Sequence, residues 1–303
     1  MRTYLKSAIA ACVVMLAASV SPGLAAASTA TWRTPAPYCG SRIAKSSGVY
    51  WTCTFDDEFS GSTLDTSKWM VGLSSQTGHT DGGLTCYTNS PNNVSVANGA
   101  LNLTVRKLAA PSACTSYFSS AYTSGEVTTA NHFAQTYGRF EVRALFPAAT
   151  VAGINETLWL WPNQQTYGAF PASGEIDFAQ GYSAAPTWSV PALHYNPRTT
   201  ASWTTNTNVM IQWPPPYNEP GSNCVINQLA YNTYTVVWKA GNVTILVNGN
   251  PCLVDNYSAA NLSGAAPFNQ PFFMVLTQAL AGTPDPSLTF PQTTSVDYVR
   301  AWK

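Results

Sequence analysis

Alternation of apolar and polar residues with a period of two recurs along this 303-residue chain. Each run is bounded by Gly, Pro, Asn or Ser, a pattern typical of half-buried β-strands. Beyond the N-terminal stretch, no twelve-residue window has a convincing helical period of 3.6. Asn98-Gly99 and Asn248-Gly249 are typical hairpin-turn dipeptides. The sequence therefore predicts an all-β fold. The clearest runs are Leu101, Leu103, Val105; Phe140, Val142, Ala144; Val243, Ile245, Val247; and Val296, Tyr298, Arg300, Trp302.

The charge balance narrows the class of protein. The chain has 14 Lys+Arg against 14 Asp+Glu, and only 9% of its residues are charged. Nucleic acid is therefore not an expected partner, because its binding needs a basic face. With 45% apolar residues, 10 Trp and 15 Tyr, the chain is expected to be a neutral, aromatic-rich globular protein. Many short strands without linkers or repeats favour one large sandwich of two antiparallel sheets over two domains.

The N-terminal residues predict export. Residues 1–27 contain Arg2 and Lys6, then an apolar stretch, then small residues up to Ala27, which is the order of a secretory signal peptide. Residues 28–50 are expected to form an irregular lead-in, and residues 51–303 a single domain. No later segment has the ~18 consecutive apolar residues of a membrane span. We expect a secreted protein that has no membrane partner in its mature form.

The cysteines predict disulfide bonds. Of the 7 cysteines, Cys12 lies in the signal peptide, and six remain in the mature chain. An even number in an oxidising compartment indicates disulfides, and fifteen pairings are open from sequence alone. The three sequential pairs, which each enclose a short stretch, are the favoured set: Cys39 with Cys53, Cys86 with Cys114, and Cys224 with Cys252. A metal site is the poorer alternative because no C-x-x-C spacing occurs.

One predicted strand, residues 171–181 (PASGEIDFAQG), carries three polar side chains. Alternation places Glu175 and Asp177 on one face, and a β-bulge is needed to turn Gln180 to that same face. Retaining glycosidases hold two carboxyl groups about 5 to 5.5 Å apart, one as nucleophile and one as acid/base. The alternative is that the two carboxylates are the polar face of an ordinary strand. The residues alone leave both interpretations open.

The sequence resembles glycoside hydrolase family 16, whose signature strand reads E-x-D-x-E or, with a bulge, E-x-D-x-x-E. The resemblance covers almost the whole mature chain, and its segments follow the order of the family. They are FDDEFSGSTLDTSKW at 55–69, NVSVANGALNLTV at 93–105, YTSGEVTT at 122–129, YGRFEVRALFP at 137–147, LWLWP at 158–162, SGEIDF at 173–178 and VDYVRAW at 296–302. The resemblance implies a concanavalin-like jelly roll with an open cleft, and an enzyme that hydrolyses β-linked polysaccharide by double displacement.

The resemblance assigns roles to the three polar residues. Glu175 is implied as the nucleophile that attacks the anomeric carbon, and Asp177 as the group that tunes its neighbours. Gln180 stands where the family has its acid/base glutamate. An amide can donate a hydrogen bond but cannot transfer a proton, so we expect the chain to bind glycan and hydrolyse it poorly. Glu156 and Glu126, the latter where many relatives have arginine, are the candidate substitute acids.

Other residues are implied in substrate binding. His194 matches a histidine that the family places near the catalytic strand, although a lone histidine is more often structural. Trp159 and Trp161 alternate onto one face, opposite Leu158 and Leu160, and either face could be core. The resemblance implies Trp159 as a stacking platform for sugar, and Trp161 is expected to be packing. Asn89 and Tyr87 lie where relatives contact the substrate. The departures from the family pattern are Phe170, in place of a common tryptophan, and the segment TQALAG at 277–282.

The resemblance also implies a structural calcium ion, with no other cofactor required. Glu58, the Gly99 carbonyl and Asp297 match the places of its oxygen ligands. The alternative is that Glu58 and Asp297 are surface strand residues.

The sequence leads to a ranked set of functions. First comes a secreted, monomeric, retaining endo-β-glycanase acting on β-1,3 or β-1,3/1,4-glucan, or on galactan, impaired by Gln180. The alternative from another class is a non-catalytic, lectin-like polysaccharide-binding protein on the same scaffold. A cell-wall transglycosylase is the weaker third.

Overall fold

The alternating runs form strands of two sheets, as the sequence predicts. The computed structural model describes residues 37–45, 48–80, 84–196, 203–205 and 221–303. In those ranges the one α-helix is the four-residue α1, Ser74–Thr77. The strands in chain order are β1 Cys53–Asp57, β2 Met70–Val71, β3 Cys86–Tyr87, β4 Val94–Ala97, β5 Ala100–Ala113, β6 Ser119–Ser124, β7 Glu126–Thr128, β8 Gly138–Leu145, β9 Ile154–Pro162, β10 Glu175–Tyr182, β11 Trp188–Ser189, β12 Ala192–His194, β13 Trp203–Thr205, β14 Cys224–Val225, β15 Asn232–Lys239, β16 Asn242–Val247, β17 Asn250–Asp255, β18 Phe272–Leu280 and β19 Gln292–Trp302.

The larger sheet has eleven strands in the described residues. Its order is β13-β17-β16-β15-β8-β19-β5-β6-β3, with β1 also paired to β19 and β4 to β5. The neighbours run antiparallel except for β3 and β6, which are parallel. The C-terminal strand β19 is central, since it pairs with β1, β5 and β8.

The smaller sheet has eight strands in the described residues, in the order β14-β11-β10-β9-β18-β7-β2, with β12 also paired to β10. Strand β9 shows how this sheet packs, because its residues alternate strictly between buried and partly exposed. Leu158 and Leu160 join side chains of the larger sheet, such as Val142 and Val236, in one hydrophobic core. The opposite face of β9 carries Trp159 and Trp161. The expected β-sandwich is therefore confirmed, and one face of its smaller sheet is left for a site.

Tight turns set the register of two hairpins. Asn98 and Gly99 join β4 to β5 with φ angles of 56° and 73°. Asn248 and Gly249 join β16 to β17 with φ angles of 50° and 80°. Positive φ at both central residues is the requirement of a type I′ turn, which Asn-Gly meets at low cost. Both predicted hairpin turns are confirmed.

The three predicted disulfides are present: Cys39–Cys53, Cys86–Cys114 and Cys224–Cys252. The first ties the irregular segment before β1 to that strand. Residues Pro37–Lys303 form one compact unit. The predicted signal peptide, residues 1–27, lies outside the described residues. Within the described ranges, no helix is long and apolar enough to cross a membrane.

A buried aspartate stabilises the chain after β1. Asp57 accepts hydrogen bonds from the Trp69 indole Nε1 and from the Phe59 backbone N–H, both at 2.9 Å. Phe59 has a φ of 44°, so this contact holds an uncommon backbone conformation. Trp69 is 1% exposed and packs its ring edge against Phe55. The Asp57 and Trp69 of the segment 55–69 therefore have a structural role.

Candidate active site

A cleft of ≈ 700 Å³ lies on the face of the smaller sheet that is turned away from the core. Its lining crosses five neighbouring strands, β10, β9, β18, β7 and β2, and includes the short helix α1. Glu175, Asp177 and Gln180 all line this cleft. The strand that the sequence predicts to be catalytic therefore lies in an open cleft that crosses five strands.

A β-bulge in β10 brings the three polar side chains together. Asp177 pairs with Trp159 of β9 and Ala179 pairs with the next residue, Leu158, so Phe178 is the extra residue. Gln180 consequently pairs with Thr157, which shares the cleft face of β9 with Trp159. The bulge that the spacing of the signature requires is confirmed. Without it, Gln180 would point into the core.

Asp177 is the centre of the cluster. Its side chain is 2% exposed, and its Oδ2 accepts a hydrogen bond from the Gln180 amide Nε2. The His194 Nε2 lies 3.1 Å from the same oxygen. The other oxygen, Oδ1, is buried and has no hydrogen-bond partner. A buried carboxylate held by two neighbours can orient both of them toward a substrate.

Glu175 lies at the start of β10, beside Asp177 and His194. It is directly opposite His194 of β12 in the sheet. One carboxylate oxygen of Glu175, one of Asp177 and one ring nitrogen of His194 lie within 4.8 Å of one another. These three side chains are close enough to ligate one divalent cation or to share protons. The structure places His194 beside β10, where the resemblance predicts it.

Gln180 is held by hydrogen bonds on both sides of its amide. Nε2 donates to Asp177, and Oε1 accepts from the Tyr182 hydroxyl at 2.8 Å. This assignment of the amide agrees with the chemistry of the partners, because a carboxylate only accepts. The side chain is thus fixed in the cleft at the end of the cluster opposite Glu175.

Aromatic side chains form the floor and one wall of the cleft. Trp159 lines it, and the Trp159 Nε1 donates to the Thr277 Oγ1 at 3.1 Å, which fixes the ring. Trp161 also lines the cleft, and its ring is stacked on Phe170 with centroids 6.2 Å apart. The expectation that Trp161 is core packing is therefore wrong. Period two on β9 puts it on the face of Trp159, not on that of Leu158 and Leu160.

Glu156 does not reach the cleft and cannot replace the missing acid. It lies between Asn155 and Thr157, which line the cleft, so its own side chain faces the core. Burial raises its pKa to about 8, partly offset by a hydrogen bond from Gln278. Its Oε2 has no hydrogen-bond partner. Glu156 is a buried core acid.

Glu126 lines the cleft but is far from Gln180. It pairs with Thr277 of β18, which pairs with Thr157 of β9, which pairs with Gln180 of β10. Three strand spacings of ~4.8 Å place its α-carbon roughly 14 Å from that of Gln180. The Glu126 Oε2 lies 2.8 Å from the Nδ1 of His79. Neither candidate substitute acid therefore occupies the acid/base position.

His79 is a cleft residue that the sequence reasoning missed. Its ring lies 6.1 Å from that of Trp159 and 5.3 Å from that of Tyr87. His79 lies in a stretch without strand pattern, so no alternation of residues identifies it as a site residue. The one signal in the sequence is that histidine is rare, with only 3 in the chain. Tyr87 is 3% exposed and lies behind His79. Asn89 is exposed, and neither Tyr87 nor Asn89 is among the described residues that line the cleft.

The residues suggested for calcium do not fit that ion as they are arranged. Both Glu58 carboxylate oxygens accept hydrogen bonds from the Arg300 guanidinium, at 2.7 and 2.8 Å. Asp297 is paired with Arg143. Calcium requires six to eight oxygen ligands, and guanidinium groups beside the carboxylates oppose a cation there.

A two-sheet sandwich with carboxylates and aromatic rings along an open cleft is the arrangement expected of a glycoside hydrolase. Comparison with protein families narrows this. Residues 84–300 match the family described as glycosyl hydrolases family 16. The chain belongs to this family, so the resemblance drawn from its sequence motifs is confirmed.

Individual relatives agree with the family. The chain is 32% identical over 268 residues to glucan endo-1,3-beta-glucosidase A1 of Niallia circulans, covering 82% of this chain and 37% of that protein. It is 28% identical over 182 residues to a beta-1,3-glucan-binding protein of Penaeus monodon, covering 53% of this chain and 47% of that protein. The chain thus spans less than half the length of either relative. The laminarinase of Rhodothermus marinus superposes with a TM-score of 0.68 at 24% identity, covering 84% of this chain and 97% of that structure.

Proposed function

We propose that this chain is a secreted, monomeric endo-β-glycanase of retaining type, acting on a β-1,3 or β-1,3/1,4-glucan, and that Gln180 impairs its hydrolysis. The observation that carries the proposal is the bulge at Phe178, which places Glu175, Asp177 and Gln180 together on the cleft face. The family and the glucanases among its relatives support the substrate class. The three disulfides support export to an oxidising compartment.

In the proposed mechanism, the Glu175 carboxylate attacks the anomeric carbon of the bound sugar. The bond to the leaving glycosidic oxygen breaks, and a covalent glycosyl-enzyme forms. Water then attacks the same carbon and breaks its bond to the Glu175 carboxylate, so two successive inversions leave the product with its original configuration. Asp177 fixes the side chains around it, through its contacts with Gln180 and His194.

Gln180 supplies only part of what this reaction needs. The leaving oxygen requires a proton in the first step, and the attacking water must lose one in the second. The amide nitrogen donates to Asp177 and cannot release a proton to the substrate. Loss of general acid/base catalysis lowers turnover by about 10²–10⁴-fold. We therefore expect this protein to bind glucan but to form the glycosyl-enzyme intermediate slowly and to hydrolyse it slowly.

A glucan-binding protein without catalysis is the second candidate. The position of Gln180 favours this candidate, because the amide stands at the acid/base position and neither Glu156 nor Glu126 can replace it. The named glucan-binding relative supports this class as well.

A substrate with an activated leaving group separates the two candidates. We expect a dinitrophenyl β-glycoside of a glucan oligosaccharide to form an adduct on Glu175, because its leaving group needs no acid. Without a general base the adduct decays slowly, so intact-protein mass spectrometry and peptide mapping will detect it. Glu175→Gln is the matched control and should show no adduct. Azide, which needs no deprotonation, should release the sugar as a glycosyl azide of retained configuration. A parent protein that forms no adduct while binding laminarin would favour the glucan-binding protein.

A further inference from the structure

The half of the cleft formed by β2, β7 and α1 contains a carboxylate–histidine pair that the proposed mechanism does not use. Glu126 is 5% exposed, and its Oε2 lies 2.8 Å from the His79 Nδ1. The pair stands across the sheet from the reacting cluster, with Trp159 between them. A bound glycan that reaches from one to the other would present a non-reacting sugar unit to Glu126.

The surroundings of Glu126 hold its carboxylate in one position. A side-chain carbon added at Gly72 would lie 2.0 Å from the Glu126 Oε1, so the carboxylate fills the space that this glycine leaves. The Gly72 backbone N–H donates to the Glu126 carbonyl oxygen at 2.9 Å. His79 in turn packs on the buried ring of Tyr87. The pair is a fixed part of the wall, unlike a mobile surface acid.

Apart from one histidine, the titratable residues in the described lining of the cleft are acidic. Glu126, Glu175 and Asp177 are the carboxylates, and none of the described residues that line the cleft is Lys or Arg. The other polar side chains near Glu126 are neutral, such as Thr157 and Thr277. A carboxylate only accepts hydrogen bonds, so it pairs with sugar hydroxyls, whereas a sulfate or a uronate carries acceptors and a negative charge.

We propose that the Glu126–His79 pair makes this half of the cleft selective for uncharged sugar units, by binding their hydroxyl groups and repelling units that carry sulfate or carboxylate. This inference rests on the proposed function, since it assigns a substrate class to the same cleft. In a partly desolvated wall, the repulsion between Glu126 and an anionic substituent is stronger than it would be in water.

Laminarin and chemically sulfated laminarin test the inference, because they share one backbone. We expect the parent protein to bind the sulfated form about tenfold or more weakly by isothermal titration calorimetry, since like charges in contact cost free energy. Glu126→Gln keeps the shape of the side chain but removes its charge, so it should narrow this gap severalfold: the sulfated form should bind more tightly, and laminarin, which loses a charged hydrogen-bond acceptor, should bind more weakly. Asp285→Asn, an equal charge change on an exposed loop, should leave the gap unchanged.

A second measurement needs no variant. Added salt should strengthen the binding of sulfated laminarin to the parent and leave laminarin binding nearly constant, because ions screen the repulsion. The inference is overturned if the parent binds both polymers equally, if salt weakens binding of the sulfated form, or if Glu126→Gln keeps the whole gap. Failure to bind laminarin itself would instead count against the proposed function.

Discussion

The amide of Gln180 donates a hydrogen bond to the carboxylate of Asp177 across the bulge at Phe178. In the family pattern a carboxyl group stands in place of that amide. A carboxyl group there shares a proton with a neighbouring acid and can pass it to a substrate, whereas the amide keeps its protons. Under the proposed function, one atom therefore separates this cluster from acid/base catalysis: Gln180 has an amide nitrogen where the family pattern has a carboxyl oxygen.

The aromatic floor should carry much of the glycan affinity. Trp159→Ala is expected to weaken laminarin binding by about tenfold or more, because a fixed, cleft-lining ring is a typical binding hot spot. Affinity electrophoresis in laminarin gels measures this. Trp188→Ala is the control, since Trp188 is exposed and outside the described lining. Equal effects of the two changes would refute the role of Trp159.

Glu156 should make stability fall as the pH rises. Its pKa is raised from 4.5 to about 8 by burial, so the folded protein holds a proton that the unfolded chain releases. The free energy of unfolding is therefore unaffected by Glu156 below about pH 4.5, falls as the pH rises from about 4.5 to about 8, and is lower by the full penalty for the buried charge above about pH 8. This penalty amounts to roughly 3 to 5 kcal/mol, taken from the size of the shift.

Urea denaturation at a series of pH values tests this effect of Glu156. Glu156→Gln should be more stable than the parent at pH values above the raised pKa, and this advantage should shrink as the pH is lowered. Asp285→Asn, at an exposed site, should follow the parent across the same range. A parallel pH dependence of Glu156→Gln and the parent would show that Glu156 is not a neutral buried acid.

Asp57 should be important for stability. Asp57→Ala leaves two donors, the Trp69 indole and the Phe59 N–H, without their acceptor, at an expected cost of about 2 to 4 kcal/mol in the free energy of unfolding. Asp65→Ala is a matched control, because Asp65 also accepts two hydrogen bonds, from Ser67, but is exposed. Its loss should cost about 0.5 kcal/mol or less. Thermal and urea unfolding measure both, and similar losses would contradict the account.

Calcium should not contribute to stability. Glu58 and Asp297 are engaged by Arg300 and Arg143, so chelation by EDTA and addition of CaCl₂ should leave the melting temperature unchanged. Differential scanning fluorimetry is sufficient. A rise with calcium that is lost in Glu58→Gln would restore the calcium site that the family resemblance implies.

Local sequence patterns predicted much of the fold and the centre of the candidate site. Period two located the strands, Asn-Gly located two hairpin turns, and the spacing from Asp177 to Gln180 required the bulge. On β9 the alternation separates Trp159 and Trp161 from Leu158 and Leu160 but does not say which face is the core, and the structure buries the face of the leucines, which also carries Glu156. The Glu126–His79 pair joins residues 47 positions apart, from a strand and a loop. Such contacts depend on the path of the loop, which no local pattern encodes.

The most direct test of the account is the hydrolysis of laminarin and lichenan by Gln180→Glu, measured as reducing ends beside the parent and Gln180→Ala. We expect Gln180→Glu to raise turnover by about 10²-fold or more, since it restores the group that gives and takes the proton. Affinity for laminarin should change little among the three proteins, and the double variant Glu175→Gln/Gln180→Glu should be inactive. A Gln180→Glu protein that folds, binds laminarin and is as inactive as the parent would contradict the account.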